Sequence, residues 1–150
     1  MEERKLISGL YLSWAQGTAL YARYAETRRV SYSELMVLYA LSEGEALTQR
    51  EVSLRCELTK QTVNQVVKKF REAGWLVLTG DAADRRRKVI TLTEAGARQA
   101  EAVAGPLRAM EARVGRRVGW KRLAAMKETS DRFNRYFAEE LARLSGKGDA

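Results

Sequence analysis

The chain has 150 residues, enough for one domain with a sizeable core. Its 27 Lys and Arg against 19 Asp and Glu give a formal charge of +8, and eight basic against three acidic residues between Lys60 and Lys88 place a net +5 in one stretch. One cysteine and no histidine exclude an intrachain disulfide framework and zinc sites built on Cys and His, and a reducing compartment is the simplest setting.

In residues 4–27, Leu6, Leu10, Trp14, Thr18, Tyr21 and Ala25 recur every three or four positions, with Ile7, Tyr11 and Ala22 beside them. This spacing predicts one long helix. So wide an apolar and aromatic face is hard to bury within a small domain and suits a contact with another chain. The first residues place acids before the apolar run and offer no clear small-residue cleavage site, so they do not read as a signal peptide. No apolar run approaches membrane-spanning length, and a cytoplasmic location is expected.

Ser31-Tyr32-Ser33-Glu34 has capping-box spacing, which predicts a helix to about Ser42 that buries Leu35, Leu38, Tyr39 and Leu41 and stops at Gly44. Thr48-Gln49-Arg50-Glu51 is a second capping box, opening a short helix with Val52 and Leu54 inward. Arg55 to Leu58 form the turn into the next helix, without the Gly that such turns often carry.

Thr59 is a good N-cap, and Val63, Val66, Val67 and Phe70 follow the i, i+3, i+4, i+7 spacing of a helix with one buried face. Gly74 stands where that helix ends in the left-handed conformation. Two short helices joined by a tight turn, the second with a polar outer face, form a helix-turn-helix. Trp75–Thr79 and Val89–Leu92 then read as two strands close enough to pair as a hairpin, with Asp84-Arg85-Arg86-Arg87-Lys88 at its tip. Thr93-Glu94 caps a helix from Ala95 towards Val118, with an interruption expected near Gly105-Pro106. A last helix after Gly119 carries Trp120, Leu123, Met126, Phe133, Phe137, Leu141 and Leu144, and residues 145–150 read as a frayed tail.

The fold expected is mainly α: a winged helix-turn-helix with a two-stranded β-wing and long N- and C-terminal dimerisation helices. Residues 1–30 would be the N-terminal dimerisation helix, 31–96 the DNA-binding region and 97–150 the C-terminal dimerisation helices, all in one intertwined domain. The second helix of the motif presents Lys60, Gln61, Thr62, Asn64, Gln65, Lys68 and Lys69, with no acid before Glu72. Amides and cations can contact base edges and phosphates in the major groove, where carboxylates would be repelled. Gln61 and Thr62, near the helix start, are the expected base readers, and Lys68 and Lys69 the expected phosphate contacts. Thr48, Gln49 and Thr59, at the two helix starts, complete this set. Four consecutive cations at a hairpin tip repel one another until a polyanion arrives, and an Arg cluster there suits a narrow, electronegative minor groove. Asp84, Arg85, Arg86, Arg87 and Lys88 are therefore further DNA-binding candidates.

Asp84-Arg85-Arg86-Arg87-Lys88-Val89-Ile90-Thr91-Leu92-Thr93-Glu94-Ala95-Gly96 resembles the wing signature of the multiple-antibiotic-resistance regulator (MarR) family, an Asp-x-Arg, a strand, then Leu-Thr-x-x-Gly. Thr59–Val63 and Ala73–Leu76 are similar to the start and end of that family's recognition helix, and the order of elements agrees over nearly the whole chain. The resemblance implies a homodimer with interlocked terminal helices and two recognition helices in successive major grooves of a pseudo-palindromic duplex. It implies that Arg86 enters the minor groove and that Asp84 holds it. It also implies repression relieved by a small, often aromatic, effector or by thiol oxidation.

Tyr11, Trp14 and Tyr39 are the effector-pocket candidates, although aromatics at helical spacing are more often core or interface residues. Cys56 is a lone thiol of the kind that is usually inert. Oxidation-sensing members of the family carry their reactive cysteine in the first helix, where this chain has none. A different reading is a winged-helix interaction module whose basic wing meets an acidic protein partner. No catalytic residue, metal ligand or cofactor is expected: the chain has no His, no Gly-rich phosphate loop between strand and helix, and no base for a Cys56 nucleophile.

Overall fold

A computed structural model describes residues 2–80 and 87–144. Along them run α1 (Glu2–Thr27), α2 (Tyr32–Ser42), α3 (Gln49–Cys56), α4 (Lys60–Glu72), β1 (Leu76–Gly80), β2 (Lys88–Leu92), α5 (Glu94–Val118) and α6 (Trp120–Leu144). The chain separates into two compact units, residues 1–107 and 108–150, with the boundary inside α5.

In the first unit, local chemistry sets each helix end. Both capping boxes form: the Ser31 hydroxyl accepts from Glu34 N–H at 3.2 Å while Glu34 accepts from Ser31 N–H at 2.9 Å, and Thr48 and Glu51 repeat the exchange. Thr59 caps α4, its hydroxyl accepting from Thr62 N–H at 3.1 Å. Gly74, at φ 74°, closes α4 in a Schellman arrangement: Gly74 N–H donates to Arg71 C=O and Trp75 N–H to Phe70 C=O. The turn between α3 and α4 does the same without glycine. Glu57 takes a left-handed φ of 50°, and Leu58 N–H donates back to Ser53 C=O.

The core gathers the inward faces of these elements. Leu35, Val37 and Leu38 from α2, Val63, Val67 and Phe70 from α4, Leu76 from β1 and Val103 and Leu107 from α5 are buried. The aromatic rings of Phe70 and Trp75 lie 5.1 Å apart. In α3 the inward residues are Val52 and Cys56, whereas Leu54 is 66% exposed. The expected inward Leu54 is thus corrected: residues two apart on a helix cannot share a face, and Cys56 at i+4 completes the stripe begun by Val52.

β1 and β2 pair antiparallel, with Leu76 opposite Leu92 and Gly80 opposite Lys88. Leu47 adds an isolated antiparallel bridge to Ile90, whose N–H donates to Leu47 C=O at 2.8 Å. That bridge ties the hairpin to the segment just before α3. Tyr24 ties α1 to α5 by donating to Val103 C=O at 2.7 Å. The expected break near Gly105-Pro106 does not occur, because α5 runs through Pro106 without interruption. The missing N–H removes one helical hydrogen bond, which a helix anchored by packing before this point can sustain.

The second unit comprises the rest of α5 and α6, joined at Gly119 with φ 98°. α6 has no buried residue, and Trp120, Met126, Phe137, Leu141 and Leu144 are exposed. α1 likewise exposes Leu6, Ile7, Tyr11, Leu12 and Leu20. Among the described residues no helix is long and apolar enough to cross a membrane.

Candidate nucleic-acid interface

The apolar stripe of α4 fixes which way its other face points. With Val63, Val66, Val67 and Phe70 buried, Lys60, Gln61, Asn64, Gln65 and Lys68 stand exposed, and Thr62 is half-buried. Thr62 also shares a hydroxyl–hydroxyl hydrogen bond of 2.8 Å with Thr59. Asn64 donates to the Gln49 side-chain carbonyl at 3.3 Å, so the side-chain amides of α3 and α4 meet on one surface. Thr48 is half-buried, its hydroxyl and backbone committed to Glu51.

Two ion pairs anchor this surface. Glu34, 7% exposed on α2, pairs with Lys69 on the far side of α4. The same carboxylate holds the Ser31 cap, so it joins the start of α2 to α4. Glu51, the capping carboxylate of α3, pairs with Arg87 at the base of the wing. Hydrogen bonds from the Thr48 backbone and hydroxyl lower its pKa, partly opposed by burial, and the Arg87 charge adds a lesser lowering. The Arg87 cation therefore has a carboxylate beside it already, which eases the repulsion expected along the loop. Lys88 opens β2 and is exposed. Asp84, Arg85 and Arg86 lie outside the described residues.

Sequence spacing could not reveal Glu34 and Glu51 as anchors of this surface, because each partner lies 35 or 36 residues away. Their capping-box positions were the only local signal. A third long-range set is Arg55, which pairs with both Glu43 and Glu45 and braces the loop before α3.

The effector candidates line neither of two clefts in this unit. A cleft of about 440 Å3 lies between the end of α2, the following loop, β2 and the start of α5, lined by Leu41, Glu45, Ile90, Leu92, Ala100 and Glu101 among others, and not by Tyr11, Trp14 or Tyr39. Tyr39 packs against the core, while Tyr11 and Trp14 are exposed on α1. Cys56 is buried with its Sγ 3.5 Å from Met36 C=O, and burial pushes its pKa up despite the neighbouring Arg55. Among the described residues no group of three or more His, Cys, Asp or Glu side chains could hold a metal ion.

A sequence model of the MarR family matches residues 30–87, the segment from the α1–α2 corner to the wing. The HTH-type transcriptional regulators SarZ of Staphylococcus haemolyticus and Staphylococcus aureus are similar to this chain. The first is 26% identical over 87 residues, 58% of this chain and 59% of that protein; the second is 27% identical over 104 residues, 69% and 68%. Among solved structures, NMB1585, a MarR family regulator from Neisseria meningitidis, superposes with a TM-score of 0.83 at 21% identity, covering 93% of this chain and 98% of that one. CouR from Rhodococcus jostii, solved bound to p-coumaroyl-CoA, superposes with a TM-score of 0.66 at 25% identity, covering 81% and 87%. The segment 30–87 thus matches a sequence model of the MarR family, and the chain has the winged helix-turn-helix fold of the MarR family regulators on which it superposes.

Proposed function

We propose that the protein is a homodimeric, sequence-specific repressor that acts in the cytoplasm and is released from its operator by a small effector. The observation that carries this reading is the exposed face of α4, which presents three amides and two lysines and no carboxylate before Glu72 at its end. Gln61, Thr62, Asn64 and Gln65 would read base edges, with Thr48, Gln49, Thr59, Lys60, Lys68, Lys69 and Lys88 contacting phosphate or framing those readers. Arg85 and Arg86 would enter the minor groove, Asp84 would hold Arg86, and Arg87 would set the wing base through Glu51. The exposed apolar faces of α1 and α6 support pairing of two chains through residues 1–30 and 97–150. The ligand of CouR supports an aromatic effector, with Tyr11, Trp14 and Tyr39 as candidate contacts. Effector binding would shift the dimer between DNA-competent and incompetent arrangements.

Operator binding by variants tests the assignment. Gln61→Ala should relax discrimination at one base position by about 1–3 kcal/mol, whereas Lys68→Ala should weaken binding uniformly and reduce the salt slope by about one. Arg86→Ala should cost roughly 1–3 kcal/mol. Leu141→Asp should yield monomers that bind DNA weakly, because half-site avidity is lost. Unchanged base preference in Gln61→Ala would remove α4 as the reader, and a DNA-competent dimer of Leu141→Asp would refute the α6 interface.

A further inference from the structure

The end of α5 and the start of α6 carry a second basic surface that the helix-turn-helix does not use. From Ala112 to Met126 there are five cations, Arg113, Arg116, Arg117, Lys121 and Arg122, and no acid. All five are exposed. Their ion pairing sets them apart from Lys127, Arg132 and Arg143. Lys127, Arg132 and Arg143 each pair with a carboxylate three or four residues away, on Asp131, Glu128 and Glu140. None of the five has an ion pair among the described residues.

Helix stability does not account for this arrangement. Arg113 lies three and four residues from Arg116 and Arg117, so like charges share one face of α5 and repel. Arg116 and Arg117 do suit the negative end of α5, but Lys121 and Arg122 stand in the first turn of α6, where the helix dipole disfavours cations and no acid compensates. The elbow that presents them is packed. Gly115 is buried under the Trp120 ring, and a Cβ at that position would sit 2.3 Å from the ring. The five charges thus ride on a fixed corner.

We propose that this elbow is a second DNA-backbone site, which grips the phosphates of a further duplex segment without reading its sequence. Four of the five cations are Arg, whose planar fork matches phosphate oxygens. Trp120 packs on Gly115 yet stays largely exposed beside the cations, so an anionic membrane surface is the outcome that the vesicle arm of the test separates from DNA. The proposal rests on the DNA-binding reading above and adds duplex bridging to it.

The test uses full-length protein saturated with its own fluorescent operator duplex. A scrambled duplex of the same length, in a second colour, is titrated at low and at physiological salt, and co-migration of the two colours is read. Wild-type protein should form the two-duplex complex with steep salt dependence. The quadruple variant Arg116→Gln, Arg117→Gln, Lys121→Gln, Arg122→Gln should bridge at least about tenfold less well, with operator affinity within about twofold of wild type. The control pair Lys127→Gln, Arg132→Gln should bridge as wild type does. Absence of a two-duplex complex in wild type that binds operator would overturn the inference and leave the regulator reading intact. Absence of operator binding itself would count against that reading instead. Equal bridging by the quadruple variant, or loss of operator binding in a folded quadruple variant, would also overturn the second site. So would capture by vesicles of anionic phospholipid in place of the second duplex, which would assign the elbow to a membrane surface.

Discussion

Gly96→Ala should be among the most damaging single-methyl substitutions in the first unit. A Cβ built on Gly96 would lie 1.7 Å from the Trp75 carbonyl oxygen, 2.6 Å from its carbon and 3.0 Å from its Cα. All three are backbone atoms, so no side chain can rotate away. The start of α5 would have to withdraw from the entry to β1, and three hydrogen bonds hold it there or cap it. Thr93 N–H donates to Trp75 C=O at 2.9 Å, the Thr93 hydroxyl donates to Gly74 C=O at 2.7 Å, and Gly96 N–H donates to that hydroxyl at 3.0 Å. Overpacking of this kind costs about 1–3 kcal/mol, and each hydrogen bond lost adds about 1 kcal/mol. Alanine's better helix propensity returns about 1 kcal/mol. The net expectation is a loss of about 2–4 kcal/mol, read as a lower urea midpoint at unchanged m-value. Gly9→Ala makes the same chemical change where no atom lies within 4 Å, and it should stabilise by up to about 1 kcal/mol. Wild-type stability in Gly96→Ala would refute the claim that this glycine is required by the close approach of α5 to Trp75.

Glu34→Ala should lose both the Ser31 cap and the Lys69 pair, for about 1.5–3 kcal/mol. Glu34→Gln, which can still cap, should lose less than half of that in the same urea titration; equal losses would show that the ion pair dominates. The Glu51 carboxyl titrates lower in the folded chain than in the unfolded one, so its contribution is present above the unfolded value and disappears as pH falls through the folded one. Acid unfolding of Glu51→Gln should therefore be less steep than that of wild type, and identical acid limbs would count against the Thr48 and Arg87 contacts. Cys56 should react with an aromatic disulfide reagent far more slowly in the native protein than in denaturant, and fast native labelling would contradict its burial.

Much of the fold was readable because its signals are local. The two capping boxes, the stripe from Val63 to Phe70 and the left-handed Gly74 each sit within one helix or its ends. The Leu-Thr-x-x-Gly segment was visible as a pattern, but its reason is tertiary: Gly96 is small because the Trp75 backbone is there. What escaped the sequence was long-range or ambiguous. In the short α3, Leu54 outranks Cys56 as a hydrophobe, yet the helical period decides for Cys56. The left-handed Glu57, the Leu47–Ile90 bridge and the anchors Glu34–Lys69 and Glu51–Arg87 join positions that no local spacing relates. For the candidate interface, the exposed face of α4 was legible as the complement of its apolar stripe, whereas the two carboxylates that brace it were not.

The most direct test of the account is selection of bound duplexes from a random DNA pool with purified protein at about physiological salt. A dimeric, sequence-reading regulator should enrich an inverted repeat whose half-sites lie about one helical turn apart. Salt-sensitive background binding with no enriched sequence would contradict that claim, and the amide-bearing face of α4 would then have to be explained without base recognition.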